Sequence, residues 1–226
     1  MKSPSSALID VSFFLLVFTT KPLVSLPIAL RDGNGNKVLV DQDYFIRSLT
    51  WGAGEGGVLT LPGLNNTCPV DVAWGTRLFF RGIPVRFSPV TDINGIVNTD
   101  TNLNINCLMS LMKGPALDLS SAATRGPSRG SVTTYQPGAG KWFITIDGIE
   151  GEFGPETYPN CFYIKKVGGT CDYPFYKLVH CPGRNSAALC NDVGVSYEYG
   201  GRLVLSKTSF TFIILKNREV GGHSQE

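Results

Sequence analysis

The residues of this chain able to do chemistry are few, and cysteine dominates them. Six cysteines stand at Cys68, Cys107, Cys161, Cys171, Cys181 and Cys190. None belongs to a Cys-x-x-Cys pair, and the two histidines, His180 and His223, lie far apart in sequence. The ligand spacing of a zinc site is therefore missing, and no metal is expected. An even cysteine count reads instead as three disulfides formed in an oxidising compartment, with 15 pairings open. The most telling stretch runs from Tyr176 to Leu205. There Cys181 and Cys190 are separated by only eight residues and flanked by two β-type runs, the pattern of a stapled hairpin.

Catalytic sets are hard to assemble from what remains. His180 sits beside Cys181 in a strand-like run and His223 in a polar tail, so neither completes a Ser-His-Asp arrangement. Asp147 with Glu150, or Glu152 with Glu156, has the composition of a glycosidase carboxylate pair. These residues fall in turns, where acidic side chains are routinely solvated. The run Gly52-Ala-Gly54-Glu-Gly56-Gly57 has the glycine density of a phosphate loop, but a strand pattern follows it. No helix N-terminus is then available to hold an anion, and a hairpin turn is expected. Trp51, Trp74 and Trp142 have the chemistry to line a sugar site, although such aromatics are more commonly core or half-buried strand residues. The chain is expected to be no enzyme and to need no cofactor.

The elements that must position these residues are strands. The chain holds 26 Gly and 14 Pro and shows no sustained helical period. Short runs rich in Val, Ile, Thr, Tyr and Phe recur between turn residues. They predict strands over 44–49, 58–61, 70–74, 83–87, 103–108, 131–135, 142–146, 161–166, 176–181, 194–197, 202–206 and 210–216. About twelve short strands without a helix argue for an all-β barrel or sandwich. Residues 113–130, a Ser/Ala/Gly/Pro stretch carrying Arg125 and Arg129, read as a long surface loop.

The N-terminus adds a compartment. Lys2 precedes a short apolar core over 11–18, and Thr19, Thr20, Lys21 and Pro22 follow. That core is shorter than the roughly 20 apolar residues that span a bilayer. Residues 1–25 read as a signal peptide, with cleavage between 20 and 29, and the protein is expected to be secreted. Residues 26–220 then form one domain, and 221–226 a flexible tail. The net charge of +2 gives no electrostatic footprint for nucleic acid and no polybasic segment for a membrane. Asn65-Asn66-Thr67 is a glycosylation sequon with Asn65 as acceptor.

One ordered set of motifs reaches across the whole chain. Leu30-Arg-Asp32-Gly-Asn-Gly35-Asn-Lys-Val38 is followed, after five residues, by Tyr44-Phe-Ile46. Further along stand Asn66-Thr67-Cys68-Pro69-Val70, then Gly82-Ile-Pro-Val-Arg-Phe-Ser-Pro89, then Leu103-Asn-Ile-Asn106. Trp142-Phe-Ile-Thr145 and Gly154-Pro-Glu-Thr157 follow. This set resembles the plant Kunitz-type (soybean trypsin inhibitor-like) family, in its miraculin-like branch, with Leu30, Asp32, Gly35, Val38, Tyr44 and Ile46 matching the family signature. The resemblance implies a β-trefoil with pseudo-threefold symmetry: six two-stranded hairpins, three closing a barrel and three capping it. It also implies disulfides Cys68–Cys107 and Cys181–Cys190, and leaves Cys161 and Cys171 to pair across a hairpin turning at Gly168-Gly169. Cys107 stands several residues earlier than the family's usual cysteine.

The same resemblance implies a mode of action, inhibition of a peptidase by an exposed substrate-like loop. Ser88, Pro89, Val90, Thr91 and Asp92 occupy the loop position, with Thr91 facing the S1 pocket and Thr91–Asp92 as the scissile bond. The following Asp92-Ile-Asn94-Gly95 is also ordinary turn chemistry. Two positions depart from a trypsin inhibitor. Thr91 stands where Arg or Lys would meet the S1 carboxylate, and Val40 stands where the family places a loop-bracing Asn. The expected partner is thus a peptidase of serine type, with cysteine and aspartic peptidases open and trypsin disfavoured. The alternative is a non-inhibitory storage, defence or ligand-binding trefoil. Arg125 and Arg129 offer a second basic contact, whereas Arg86, between Val85 and Phe87, reads as a solvent-facing strand residue. A monomer is expected.

Overall fold

In the computed structural model, the described residues are 27–49, 56–64, 70–76, 81–90, 94–108, 128–149, 154–182 and 190–217. They contain twelve strands: β1 Asp43–Ser48, β2 Gly57–Leu61, β3 Asp71–Gly75, β4 Val85–Pro89, β5 Leu103–Cys107 and β6 Ser128–Gln136 in the first half. In the second half come β7 Lys141–Gly148, β8 Phe162–Gly169, β9 Pro174–His180, β10 Asn191–Ser196, β11 Arg202–Ser206 and β12 Phe212–Lys216. Two short 3-10 turns, Tyr158–Asn160 and Tyr197–Tyr199, are the helical elements among the described residues. Every strand foreseen in the sequence is present.

The pairings define the architecture. β1 pairs β4, β4 pairs β5, β5 pairs β8, β8 pairs β9, β9 pairs β12 and β12 returns to β1. This is a closed six-stave barrel, all antiparallel, with no free edge. The other six strands form the hairpins β2–β3, β6–β7 and β10–β11. Their second strands meet each other, through Asp71↔Thr145, Val204↔Phe143 and Arg202↔Ala73. Adding four to each strand number maps every class of pairing onto itself. The fold is a β-trefoil with pseudo-threefold symmetry, as the motif resemblance implied.

Alternation fills the barrel. Tyr44 and Ile46, Val85 and Phe87, Leu103 and Ile105, Phe162 and Ile164, Tyr176 and Leu178, and Phe212 and Ile214 all belong to one buried cluster. Each pair is two residues apart on a stave, so both members face inward. In the cap, Arg202 Nε donates to Asp71 Oδ2 at 2.6 Å, while its Nη1 and Nη2 reach Tyr199 O and Pro62 O. This guanidinium, on a side chain 13% exposed, ties β11 to β3. Trp74 is part of the core, whereas Trp142 is 45% exposed and packs beside Tyr135.

Several expectations are corrected. The β8–β9 turn lies at 170–173, because Gly168 and Gly169 are still paired, with Phe175 and Pro174. Residues 128–130 begin β6 rather than close a loop, so Arg129 is a strand residue opposite Asn106 and Gly148. Arg125 lies outside the described residues.

The disulfides are fewer than expected. Cys181–Cys190 is formed, with Cα atoms 4.2 Å apart. Cys161 and Cys171 are both free thiols. Cys161 precedes Phe162 at the open end of the β8–β9 hairpin and Cys171 lies in its turn. Eight strand residues separate the two ends, about 26 Å at 3.3 Å per residue. A disulfide accepts Cα separations only up to about 7 Å. Cys107 is also a free thiol, in the hydrophobic core, and burial pushes its pKa up to about 12. The Cys68–Cys107 bridge is therefore not made; Cys68 itself, like Asn65, residues 1–25 and residues 221–226, lies outside the described residues.

Candidate functional site

The segment running toward the candidate loop is β4, held on both edges. Against β5, Ser88 opposes Asn104 and Pro89 opposes Leu103. Past the strand end, Val90 N donates to Asn102 O at 3.0 Å. The Asn106 side-chain amide donates to Ser88 Oγ at 3.0 Å. Against β1, Tyr44 opposes Val85 and Asp43 opposes Arg86. The guanidinium of Arg86 donates twice to Asp43 Oδ1, from Nε at 2.9 Å and Nη2 at 2.7 Å. Arg86 is thus a half-exposed clamp residue rather than a free solvent-facing one.

The chain leaving the loop is held differently. Asn94 and Gly95 both take left-handed backbone, φ 69° and 66°, the pattern of an Asn-Gly type I′ turn. Beyond it the chain joins the segment before β1. Val40 N donates to Gly95 O, Val97 N to Val38 O, and Leu30 N to Val97 O. Leu39 bridges Ile96, and Ala29 bridges Asn98.

The signature residues shape that bracing segment. Leu30, Val38, Tyr44 and Ile46 are buried in the core. The buried Asp32 carboxylate accepts backbone N–H groups of Asn34 and Asn36, each at 2.9 Å. Gly35, at φ 80°, closes this turn by donating to Asp32 O. Tyr44 Oη accepts Leu39 N at 2.9 Å, one residue before Val40. Tyr176 Oη accepts Arg31 N and donates to Arg31 O. Burial raises the pKa of both phenols, which keeps them neutral and able to donate.

Ser88, Pro89 and Val90 are therefore placed and half-buried, whereas Thr91 and Asp92 lie outside the described residues. Val40 touches the loop through its backbone N–H, while its side chain packs against the core. Asp43, Asn102 and Asn106 are supports that sequence reasoning missed. The alternation of Leu103-Asn-Ile-Asn106 marked a polar second face of β5, but not what it would hold.

Among the described residues the enzyme-like sets do not converge; Glu150 and Glu152 lie outside them. His180 Nε2 meets Tyr158 O at 3.3 Å and its ring lies against Phe162. Burial lowers its pKa, with backbone hydrogen bonding to Tyr158 and Pro159 partly opposing. Asp147 is exposed and bonded to Thr145. Among the described residues no cluster of three His, Cys, Asp or Glu side chains has metal-site geometry.

Known proteins match this chain over most of its length. A sequence model of the Kunitz legume family, described as trypsin and protease inhibitor, matches residues 30–216. Miraculin of Synsepalum dulcificum is 30% identical over 219 residues, covering 91% of this chain and 94% of miraculin. The latex serine proteinase inhibitor of Carica papaya is 29% identical over 199 residues, covering 84% of this chain and 97% of the inhibitor. The structure of the Kunitz-type cysteine protease inhibitor PCPI-3 from potato superposes with a TM-score of 0.65 at 23% identity, covering 86% of this chain and all of PCPI-3. This chain belongs to the plant Kunitz inhibitor family. Members of that family are protease inhibitors, not enzymes.

Proposed function

We propose that this protein is a secreted peptidase inhibitor that presents residues 88–92 to its target, with Thr91 in the S1 pocket. The observation that carries this reading is the two-sided tether: Val90 is bonded to Asn102 just before residues 91–93, and Gly95 to Val40 just after. A segment spanning so short a gap between fixed ends loses little conformational entropy on binding. Pro89 supports an extended approach by restricting the backbone on either side of it. Thr91 favours a small or apolar S1 pocket. In trypsin a threonine would leave the buried S1 carboxylate unpaired, at a cost of several kcal/mol. A serine peptidase is the favoured target. Secretion is supported by the apolar core at 11–18 and by the Cys181–Cys190 bridge.

The test is a panel of trypsin, chymotrypsin, elastase, subtilisin and papain, followed by mass analysis of the inhibitor. Inhibition of an enzyme with a small or apolar S1 pocket is expected, with a cut at Thr91–Asp92 and loss of inhibition in Thr91→Glu. If none of the five enzymes is slowed, the reading fails. One observation favours a second reading, a trefoil that no longer inhibits. The Val40 side chain turns to the core and offers the loop no donor. An unslowed panel, combined with cleavage at Thr91–Asp92 at the rate of a linear peptide, is its expected result.

A further inference from the structure

Extended by one residue, two ladders of the sheet set three cysteines side by side. In the β8–β9 ladder Phe162 opposes His180, so the next residues outward, Cys161 and Cys181, oppose each other. In the β9–β10 ladder His180 opposes Asn191, so Cys181 opposes Cys190, and there the two are joined. Directly opposed residues share a face of the sheet. The Phe162 and His180 rings, 5.5 Å apart, show this for the neighbouring rung. Cys161 is a free thiol, buried, and donates from Sγ to Thr157 O at 3.3 Å.

We propose that Cys161 is an internal exchange partner for the Cys181–Cys190 disulfide. The Cys161 thiolate, having given its proton to water, attacks Cys181 Sγ. The Cys161–Cys181 bond forms as the Cys181–Cys190 bond breaks. The electron pair leaves on Cys190 Sγ, which takes up a proton, so the step consumes no oxidant or reductant. Only this product is geometrically open. Joining Cys161 to Cys190 would span two strand spacings, about 9.6 Å, beyond the roughly 7 Å that a disulfide tolerates. Burial raises the Cys161 pKa, and a hydrogen bond with the Asn102 side chain lowers it in part. The thiolate is scarce at neutral pH, and the bridge is held in place by a slow reaction. Exchange moves the staple from β9–β10 to β8–β9 and releases the start of β10.

The experiment uses the full chain carrying Cys171→Ser, which removes the one exposed free thiol among the described residues as a source of scrambling. The protein is incubated for hours at about pH 8.5, where thiolates are better populated. It is then quenched with acid, alkylated with N-ethylmaleimide and mapped without reduction. A Cys161–Cys181 peptide is expected to accumulate together with an equal amount of alkylated Cys190. A map that keeps Cys181–Cys190 as its sole bridge with Cys161 fully alkylated overturns the proposal. A second variant, Cys171→Ser with Cys190→Ser, is oxidised with glutathione disulfide. Direct joining of Cys161 to Cys181 is expected; glutathione on Cys181 beside a free Cys161 overturns the assignment.

Discussion

Val40 donates its backbone N–H to the carbonyl of Gly95 at 3.0 Å, while its side chain packs on the core. The exit of the loop is thus tied to the first bracing segment by main chain alone. Any residue but proline keeps that bond at position 40, and only a polar one brings a side-chain donor to this segment.

That relationship sets a graded expectation for specificity. Thr91→Arg is expected to create trypsin inhibition, because an arginine pairs with the S1 carboxylate. Adding Val40→Asn is expected to tighten it further, by about 2- to 10-fold, the worth of one net hydrogen bond of ~0.5–1.5 kcal/mol. Inhibition constants for the two variants and their parent measure both steps.

The Arg86–Asp43 clamp separates loop stiffness from stability. Both side chains are about a third exposed, 34% and 31%, so Arg86→Met is expected to cost only ~0.2–1 kcal/mol of stability. The strand it steadies enters the loop two residues later. Thermal melting should barely move, whereas the rate of cleavage at Thr91–Asp92 by a target peptidase should rise several-fold.

The cap depends on a charge that burial makes costly to strand. Arg202→Met leaves the Asp71 carboxylate, 7% exposed, without its guanidinium. A loss of roughly 3–5 kcal/mol is expected, and a large part returns in the double variant Arg202→Met, Asp71→Leu. Urea unfolding of the three variants tests this.

His180 gives the fold a pH dependence. Burial lowers its pKa below the ordinary 6.5, so the unfolded chain binds a proton that the folded chain refuses. Stability from this group is fully present above about pH 6.5 and is lost as the pH falls below it, down to the folded pKa. The slope cannot exceed ~1.4 kcal/mol per pH unit for one proton. His180→Gln is expected to flatten the wild-type curve of unfolding free energy between pH 7 and 5, and an unchanged slope would falsify the assignment.

The strands were legible because each stave advertises itself. Pairs such as Val85 and Phe87, or Tyr44 and Ile46, alternate with less buried neighbours over a few residues between turn formers. The start of β6 was not. Ser128-Arg129-Gly130 has no strand chemistry, and its extended form comes from pairing with β5 and β7.

The cysteines misled for a related reason. Cys161 and Cys171 are close in sequence and share one hairpin, but register puts them at opposite ends of it. At the site, the polar face of β5 was visible in Asn104 and Asn106, whereas main-chain ties such as Val40 to Gly95 carry no side-chain signal. They follow only once the segment before β1 is laid against residues 95–98.

The barrel is sealed by its own two extremes: Tyr44 on the first stave opposes Lys216 on the last, and Asn217 N donates to Asp43 O. During synthesis the seam therefore cannot shut until the final stave has left the ribosome. A chain stopped short of Phe212 would expose both flanking edges to other chains. For the same reason a permuted chain, its two ends joined by a short linker and reopened within the turn at 170–173, should still find the same fold.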